Sequence, residues 1–182
     1  MQQNIEPISL LLKAVSFAAE KHRHQRRKDT HASPYINHPI ALTTVLTQEC
    51  GVFDVNVLCA ALLHDTIEDT DTSNEELIEN FGEHIASIVF EVTDDKDLPK
   101  LERKRLQIEH APHKSDQAKL VKWADKISNL RDLVNSPPVD WSIERKQNYF
   151  DWAKEVTDGM RGVNANLESV FDAVYSEYRP VD

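Results

Sequence analysis

The chain has 182 residues, of which 40% are hydrophobic and 29% charged, and its formal net charge is −10. This length and composition suit one globular domain, and the acidic charge argues against non-specific binding to nucleic acid. Four scattered glycines exclude the usual dinucleotide and P-loop motifs, and two cysteines without a CxxC exclude a disulfide framework. We therefore expect one cytoplasmic domain over residues 1–182, with no nucleic-acid partner and no membrane span.

The first half of the chain predicts three helices. Apolar residues at helical spacing predict an amphipathic helix from Pro7 to about His24. The two prolines of "DTHASPYINHP" predict a turn-rich connection, after which a second helix runs from about Pro39 to Cys50. Asp54 is a predicted N-cap for a third helix, which carries "VNVLCAALLHD" and continues through the acids that follow.

Start and stop signals divide the second half of the chain into further helices. A short helix follows the capping box of Ser73 and ends near Gly82, and another covers 83–92. One runs from Pro99 to about His110, and one is capped by Ser115 and ended by Pro137–Pro138. A last helical stretch runs from Ser142 to Tyr178 with a bend around Gly159–Gly162. No alternating strand pattern of useful length is present. The predicted fold class is all-α, with about seven to nine helices.

The stretch "LLHDTIEDTD" at residues 62–71 places one histidine and four acids after an apolar run. Side chains four apart share one face of a helix, so His64 is expected above Glu68 and Asp65 above Asp69. A histidine and an aspartate can ligate a divalent metal, and further carboxylates can handle its water. Taken alone, the stretch is also explained as a helix end with solvated acids.

Two distant residues favour the metal interpretation. In "PYINHP", His38 lies between an aromatic–apolar pair and a proline, and Asp125 lies beside the apolar stripe of its predicted helix. Two histidines and two aspartates from three elements would form a site that suits Mn²⁺ or Fe²⁺ at least as well as Zn²⁺. The basic run "KHRHQRRK" at 21–28 offers the local cations that an anionic ligand of an acidic protein requires.

These motifs, in this order, resemble the HD-domain phosphohydrolase superfamily. The set "RRKDT…PYINHP", "LLHDTIEDT", "EVTDDK", "KLERKRLQ" and "KWADKISNLRDL" is more similar to the hydrolase domain of the RelA/SpoT family, and most similar to its stand-alone small alarmone hydrolases. The resemblance runs from about Leu11 to Phe171. It implies an HD-type helical bundle that uses one Mn²⁺ ion per chain to hydrolyse (p)ppGpp to GDP or GTP and pyrophosphate.

The resemblance also implies roles for particular residues. The metal ligands are His38, His64, Asp65 and Asp125; the acidic pair that positions or deprotonates the attacking water is Glu68 and Asp69; the substrate-binding residues are Arg27, Lys28, Asn129 and Tyr149, with Lys100 and Arg145 as further candidates. Tyr149 is equally well explained as a helix-packing aromatic residue. Lys96, Lys104 and Arg105 are interpreted as solvated surface.

Trp123 and Ser128 depart from the pattern of close relatives, which have a smaller apolar residue and an aromatic residue there. We expect the two positions to reshape the base pocket without touching the metal. The stretch "THAS" lacks a glycine often found in relatives, so this loop is expected to sit differently. No synthetase activity is expected.

Three alternatives compete with this interpretation. The first is an HD phosphohydrolase for another nucleotide, such as a nicotinamide dinucleotide phosphate or a deoxynucleotide. A catalytically silent nucleotide sensor is disfavoured because all six metal and acidic positions are intact. A di-iron bundle is excluded because no glutamate is followed by a histidine three residues later. The sequence permits a homo-oligomer and does not specify one.

Overall fold

Helices make up the protein, which a computed structural model describes over residues 6–179. Over this described range, nine α-helices have eight or more residues and a tenth, α4, is a single turn. They are α1 (Pro7–Lys21), α2 (Asn37–Thr44), α3 (Val55–Leu63), α4 (Thr66–Asp69), α5 (Asn74–Phe81), α6 (Glu83–Val92), α7 (Lys100–His110), α8 (Asp116–Asn135), α9 (Ile143–Asp158) and α10 (Ala165–Tyr178). Within residues 6–179 the only β pairing is an isolated bridge between Arg26 and Pro34. The all-α prediction is therefore confirmed, while the predicted domain ends, Met1 and Asp182, lie outside the described residues.

Several helix starts are fixed by side-chain caps that the sequence predicts. The Asp54 carboxylate accepts a hydrogen bond from the Asn56 backbone N–H, and the Ser73 hydroxyl accepts one from Glu76. Ser115 caps α8 in the same way. Each such cap satisfies a backbone donor that the helix leaves free and contributes about 0.5–2 kcal/mol.

The bounds of the first three helices differ from the prediction. Helix α1 ends at Lys21 rather than near His24. Helix α2 begins at Asn37 and continues into a π-helical turn over Val45–Glu49, where the Cys50 N–H reaches back five residues to the Val45 carbonyl. Helix α3 ends at Leu63 and does not continue through the acids. The bend predicted in the final stretch is a turn between α9 and α10, in which Gly162 adopts a φ of 95°.

Helix α3 is the central element of the core. Its residues Val57 to Leu63 are all buried, and α1, α2, α6 and α8 pack around it. Ala60 and Ala61 are fully buried, and their small side chains allow these neighbours to approach closely. This packing brings the C-terminal end of α3 beside α2 and α8. No helix within residues 6–179 has the length and apolarity needed to cross a bilayer.

Candidate active site

Helices α2, α3 and α8 bring the four predicted metal ligands together. Ligand atoms of His38, His64 and Asp65 lie within 4.8 Å of one another. Asp125 Oδ1 lies 3.3 Å from His38 Nε2 and 4.0 Å from His64 Nε2, and Asp65 Oδ2 lies 2.8 Å from His64 Nε2. Residues that are up to 87 positions apart in the chain thus converge on one point, as the resemblance implies.

The end of α3 explains how two successive residues can face the same point. On a continuous helix, neighbouring side chains point about 100° apart. Here the helix stops at Leu63, and Asp65 adopts φ −99° and ψ 0°, in the bridge region of backbone space. The Thr66 hydroxyl donates to the Leu63 carbonyl over 2.7 Å and satisfies one carbonyl at this helix end. The break therefore places the side chains of His64 and Asp65 on one side.

The two histidines present the nitrogen that a metal requires. His64 Nδ1 lies 2.8 Å from the Ala61 carbonyl, so this nitrogen carries the proton and donates. That leaves Nε2 facing the site, where it can ligate a metal once it has released its proton; Asp65 Oδ2 lies 2.8 Å away, and this buried nitrogen makes no hydrogen bond of good geometry within the described residues. His38 Nδ1 lies 3.4 Å from Ser128 Oγ, which leaves its Nε2 towards Asp125. Anchoring of one ring nitrogen by an outer partner is typical of metal-binding histidines, and the donor set fits a divalent cation.

The electrostatics of the centre favour a positive charge. Burial opposes protonation of His64, but the carboxylates of Asp65 and Asp125 outweigh it and raise the pKa of His64 to about 9. Despite burial, His64 and His38 hold the pKa of the Asp65 carboxyl well below its usual range. The four side chains together therefore stabilise a cation at their centre.

Glu68 and Asp69 lie in different surroundings. Burial, followed by the negative charge of Asp94, raises the pKa of Glu68 to about 7. Its Oε2 accepts the Asp94 backbone N–H at 3.2 Å, and Arg103 Nη1 lies 3.6 Å from Oε1. Asp69 accepts a hydrogen bond from the Gln25 side-chain amide at 2.9 Å and pairs with the Lys96 ammonium. Glu68 is therefore the acid of this pair whose pKa suits proton transfer near neutrality.

Further side chains hold the candidate ligands from outside, and sequence analysis missed two of them. The Tyr35 hydroxyl donates to Asp65 Oδ2. Asp125 accepts hydrogen bonds from the Asn129 amide at 2.6 Å and from the Lys126 ammonium at 3.1 Å. Tyr35 lies inside the "PYINHP" motif and Lys126 directly follows Asp125, so their closeness in sequence to candidate ligands could have identified both. Such outer partners fix the orientation of metal ligands.

Two adjoining cavities open at this centre. The smaller, about 210 Å³, is lined by all four candidate ligands together with Glu68, Asp69, Lys122 and Lys126. The larger, about 550 Å³, is lined by four of the six predicted substrate-binding residues: Arg27, Lys28, Asn129 and Tyr149. Arg27, Asn129 and Tyr149 also line the smaller cavity. A ligand in the larger cavity can therefore extend to the candidate metal centre.

The other two predicted substrate-binding residues, Lys100 and Arg145, line neither cavity. The Arg145 guanidinium lies 4.2 Å from the ring centre of Trp141, which lines the larger cavity. Burial lowers the pKa of Lys100, and the nearby charges of Arg145 and Lys28 lower it further. The two residues thus form a group of cations with Lys28 at the edge of the larger cavity.

Tyr149 is both a helix-packing aromatic residue and a cavity-lining residue. Its ring packs against Trp141 and Trp152, with centroid distances of 5.7 and 5.1 Å. It also lines both cavities. Packing therefore holds the ring where a ligand can reach it.

The expectation for Trp123 is wrong. Its side chain is fully buried, its indole N–H donates to the Met160 carbonyl, and it packs edge-on against Phe171. It lines neither cavity, so it belongs to the core between α8 and α10. Ser128 is buried too and contacts His38, which contradicts the expectation that it affects the base pocket alone.

The surface interpretation is confirmed for Arg105 and Lys96 and wrong for Lys104. Arg105 pairs with glutamates on the exposed face of α7. Lys96 is exposed too, and its ammonium also pairs with Asp69 at the active centre, which sequence analysis did not predict. Lys104 is half-buried with its ammonium 4.4 Å from the ring centre of Trp152, and burial, aided by nearby lysines, lowers its pKa to about 8.

Comparison with known proteins agrees with this architecture. A family profile described as HD domain matches residues 14–149. Relatives named guanosine-3′,5′-bis(diphosphate) 3′-pyrophosphohydrolase MESH1 are 56% identical in Xenopus tropicalis, over 93% of this chain and 94% of the relative, and 56% identical in Homo sapiens, over 92% and 93%. A solved structure of a metazoan orthologue of SpoT that hydrolyses ppGpp superposes with a TM-score of 0.91 at 49% identity, covering 95% of this chain and 97% of that one. The chain therefore belongs to the HD-domain family, in the group that includes MESH1 and the metazoan SpoT orthologues.

Proposed function

We propose that this protein is a metal-dependent hydrolase that removes pyrophosphate from the 3′ position of guanosine 3′,5′-bis(diphosphate), leaving GDP or, from the pentaphosphate, GTP. The observation that carries the proposal is the junction of the two cavities. A His₂Asp₂ centre lies in the smaller one, and the larger one carries Arg27 and Lys28. The activity in the names of relatives that match over nine tenths of this chain supports the same substrate.

The proposed resident metal is Mn²⁺, held by His38, His64, Asp65 and Asp125. Two nitrogen and two carboxylate donors suit a cation between the hard and soft extremes, which supports Mn²⁺. When bound, such an ion supplies Lewis-acid activation of water and offsets charge on a phosphoryl group.

Residues of the chain would carry out the proton transfer and orient the attacking water. Glu68, with a pKa of about 7, accepts the proton that the attacking water loses. The water oxygen forms a bond to the phosphorus that is attached to the 3′ oxygen. The bond between this phosphorus and the 3′ oxygen breaks. The nucleoside keeps its 3′ oxygen, which gains a proton. Asp69, held by Gln25 and Lys96, orients the water. Holding both reactants in place contributes as much as the proton transfer does.

The substrate's charge and base are bound in the larger cavity. Arg27 is anchored by Asp132 and lines both cavities, so its guanidinium can contact phosphates near the junction. Lys28, with Lys100 and Arg145 beyond it, extends this basic strip towards the edge. Asn129 and the ring of Tyr149 are placed to contact the nucleoside.

We further propose that residues 1–182 act as one HD-type domain in the cytoplasm, on a small nucleotide rather than on nucleic acid. The packing of α10 against α8 supports the single domain, because it joins the last helix to the one that carries Asp125. Two buried, unpaired cysteines, Cys50 and Cys59, support a reducing compartment.

The test is pyrophosphate release from ppGpp by metal-stripped protein, with and without added Mn²⁺. We expect release only with Mn²⁺, none from His64→Ala, and undiminished release from His84→Ala, which removes an exposed histidine on α6. GDP serves as the control substrate because it lacks a 3′ diphosphate. Absence of release from the Mn²⁺-loaded wild-type protein, with turnover of another nucleotide in a panel, would refute the substrate; failure of Mn²⁺ to bind would refute the metal centre.

A further inference from the structure

One face of α8 carries polar side chains along residues 121–130, whose other side chains are buried in the core. Lys122, Asp125, Lys126 and Asn129 follow the i, i+3, i+4, i+7 spacing of a single helix face. All four line the smaller cavity. Lys122 is only 7% exposed and Lys126 only 2%, although lysine is almost never buried without a partner.

The ammonium of Lys126 has close partners within the protein. It donates to Asp125 Oδ2 and to Gln107 Oε1, each at 3.1 Å, and lies 4.3 Å from the ring centre of Trp152. These three contacts compensate the loss of hydration. Lys126 is therefore a positioning residue for the Asp125 carboxylate.

The ammonium of Lys122 has no comparable set of contacts. Among residues 6–179 its nearest carboxylate oxygen is Asp94 Oδ1 at 3.9 Å, beyond hydrogen-bond distance. Asp94 is already engaged, because its Oδ2 accepts the Gln107 amide and its backbone N–H donates to Glu68. The side chain is only 8% exposed and lines the smaller cavity, so an anionic ligand in that cavity can supply the close acceptor that the described residues do not.

We propose that Lys122 binds a phosphoryl oxygen of the substrate's 3′ diphosphate, on the pyrophosphate that leaves; this inference rests on the proposed function. Any diphosphate that reaches the candidate metal centre also enters the 210 Å³ cavity that Lys122 lines. Arg27 enters this cavity from the segment after α1 and Lys122 from α8, so the two cations come from separate elements. The negative charge on the pyrophosphoryl group that is transferred to water is thereby matched by an ammonium held in place by α8.

The same contact explains why a buried lysine is tolerated here. Burial, followed by the charge of Lys126, lowers the pKa of Lys122, and a bound diphosphate would favour its charged form again. The residue thus contributes to ligand binding and opposes folding of the empty protein. This pairing of a binding benefit with a stability cost distinguishes it from a lysine with a structural role.

The experiment compares Lys122→Met, Lys122→Arg and the control Lys119→Met, in which a half-buried lysine on α8 outside both cavities is replaced. Calorimetry measures the binding of inorganic pyrophosphate with the same excess of Mn²⁺ in syringe and cell, and thermal unfolding is recorded for each metal-free variant. We expect Lys122→Met to weaken pyrophosphate binding by roughly 10- to 100-fold, the range for loss of a charged hydrogen bond. Its Tm should equal or exceed that of the wild type, Lys122→Arg should recover part of the affinity, and Lys119→Met should bind as the wild type does.

Two results would overturn the inference. One is unchanged pyrophosphate affinity in Lys122→Met, and the other is a fall in its Tm together with lost binding that Lys122→Arg does not restore, since this marks a structural role. Because calorimetry requires no turnover, these outcomes are independent of ppGpp hydrolysis. If the wild-type protein binds pyrophosphate through Lys122 and does not hydrolyse ppGpp, the proposed function fails and the phosphate contact stands.

Discussion

Glu68→Gln should stabilise the metal-free protein at neutral and alkaline pH while removing the proposed proton acceptor. Burial and the charge of Asp94 raise the pKa of Glu68 from 4.5 to about 7. Its side chain is 18% exposed, so solvent screens this environment only weakly. At 1.36 kcal/mol per pH unit, the rise corresponds to about 3 kcal/mol of destabilisation once the carboxyl is ionised.

The sign follows from proton linkage. Between pH 4.5 and about 7 the folded protein holds the Glu68 proton while the unfolded chain has released it. Stability therefore falls as pH rises through this window and is lowest, for this group, above about pH 7. Glutamine does not titrate in this range and can still accept a hydrogen bond from the Asp94 N–H. The stability of the variant therefore does not fall as the pH rises through this window.

Urea unfolding of chelator-treated protein at about pH 5 and about pH 8 measures the effect. We expect Glu68→Gln to exceed the wild type by about 3 kcal/mol near pH 8 and by less than about 1 kcal/mol near pH 5. The control is Glu109→Gln, whose side chain is 56% exposed and paired with Arg105; loss of such a pair changes stability by about 0.2–1 kcal/mol at either pH. A Glu68→Gln protein no more stable than wild type near pH 8, or a difference that does not vary with pH, would refute the reasoning.

Three further predictions concern the centre, one loop and the core. Tyr35→Phe removes the hydroxyl that donates to Asp65, so Mn²⁺ affinity measured by calorimetry should fall by roughly 10- to 100-fold; an unchanged affinity would contradict this role. Ala32 has a φ of 47°, in the region that favours glycine, so Ala32→Gly should raise the free energy of unfolding by about 0.5–1 kcal/mol, and a decrease in urea unfolding would show that the strain is absent. Trp123→Phe removes the indole N–H that donates to the Met160 carbonyl, so the free energy of unfolding should fall by about 1–3 kcal/mol. The KM for ppGpp should be unchanged, and a severalfold rise in KM would show that this residue affects the nucleotide pocket.

Local patterns predicted the helices well because each signal acts within one or two turns. Asp54, Ser73 and Ser115 satisfy backbone donors at the helix starts they mark, and this requires no contact with the rest of the protein. The end of α3 was not predicted, because the run through Glu68 has helical spacing and no glycine or proline. At the break, His64 lies against His38 and Asp125 and Asp65 accepts a hydrogen bond from Tyr35; these are contacts with residues distant in the chain, which the local pattern does not contain.

The candidate site was likewise predictable in its residue types and not in its long-range contacts. Residue types and motif order indicated which histidines and acids belong to the centre, since few side chains can ligate a cation. The partners of lysines were not predictable in this way: a long side chain reaches many neighbours, and Lys96 contacts Asp69 across 27 residues. For this reason the sequence did not predict the ion pair of the exposed Lys96, and it wrongly placed the half-buried Lys104 on the surface.

The sequence by itself determined the all-α class, the capped helix starts and the set of residues that can form a metal centre, because helical periodicity, capping and ligand chemistry are properties of short segments. Only the tertiary structure decided which faces meet. It placed Trp123 in the core, placed the Lys122 side chain at the smaller cavity with its ammonium 3.9 Å from Asp94 Oδ1, and raised the pKa of Glu68. Burial and the surrounding charge come from helices distant in the chain, so their effect on a side chain is set by packing rather than by its sequence neighbours.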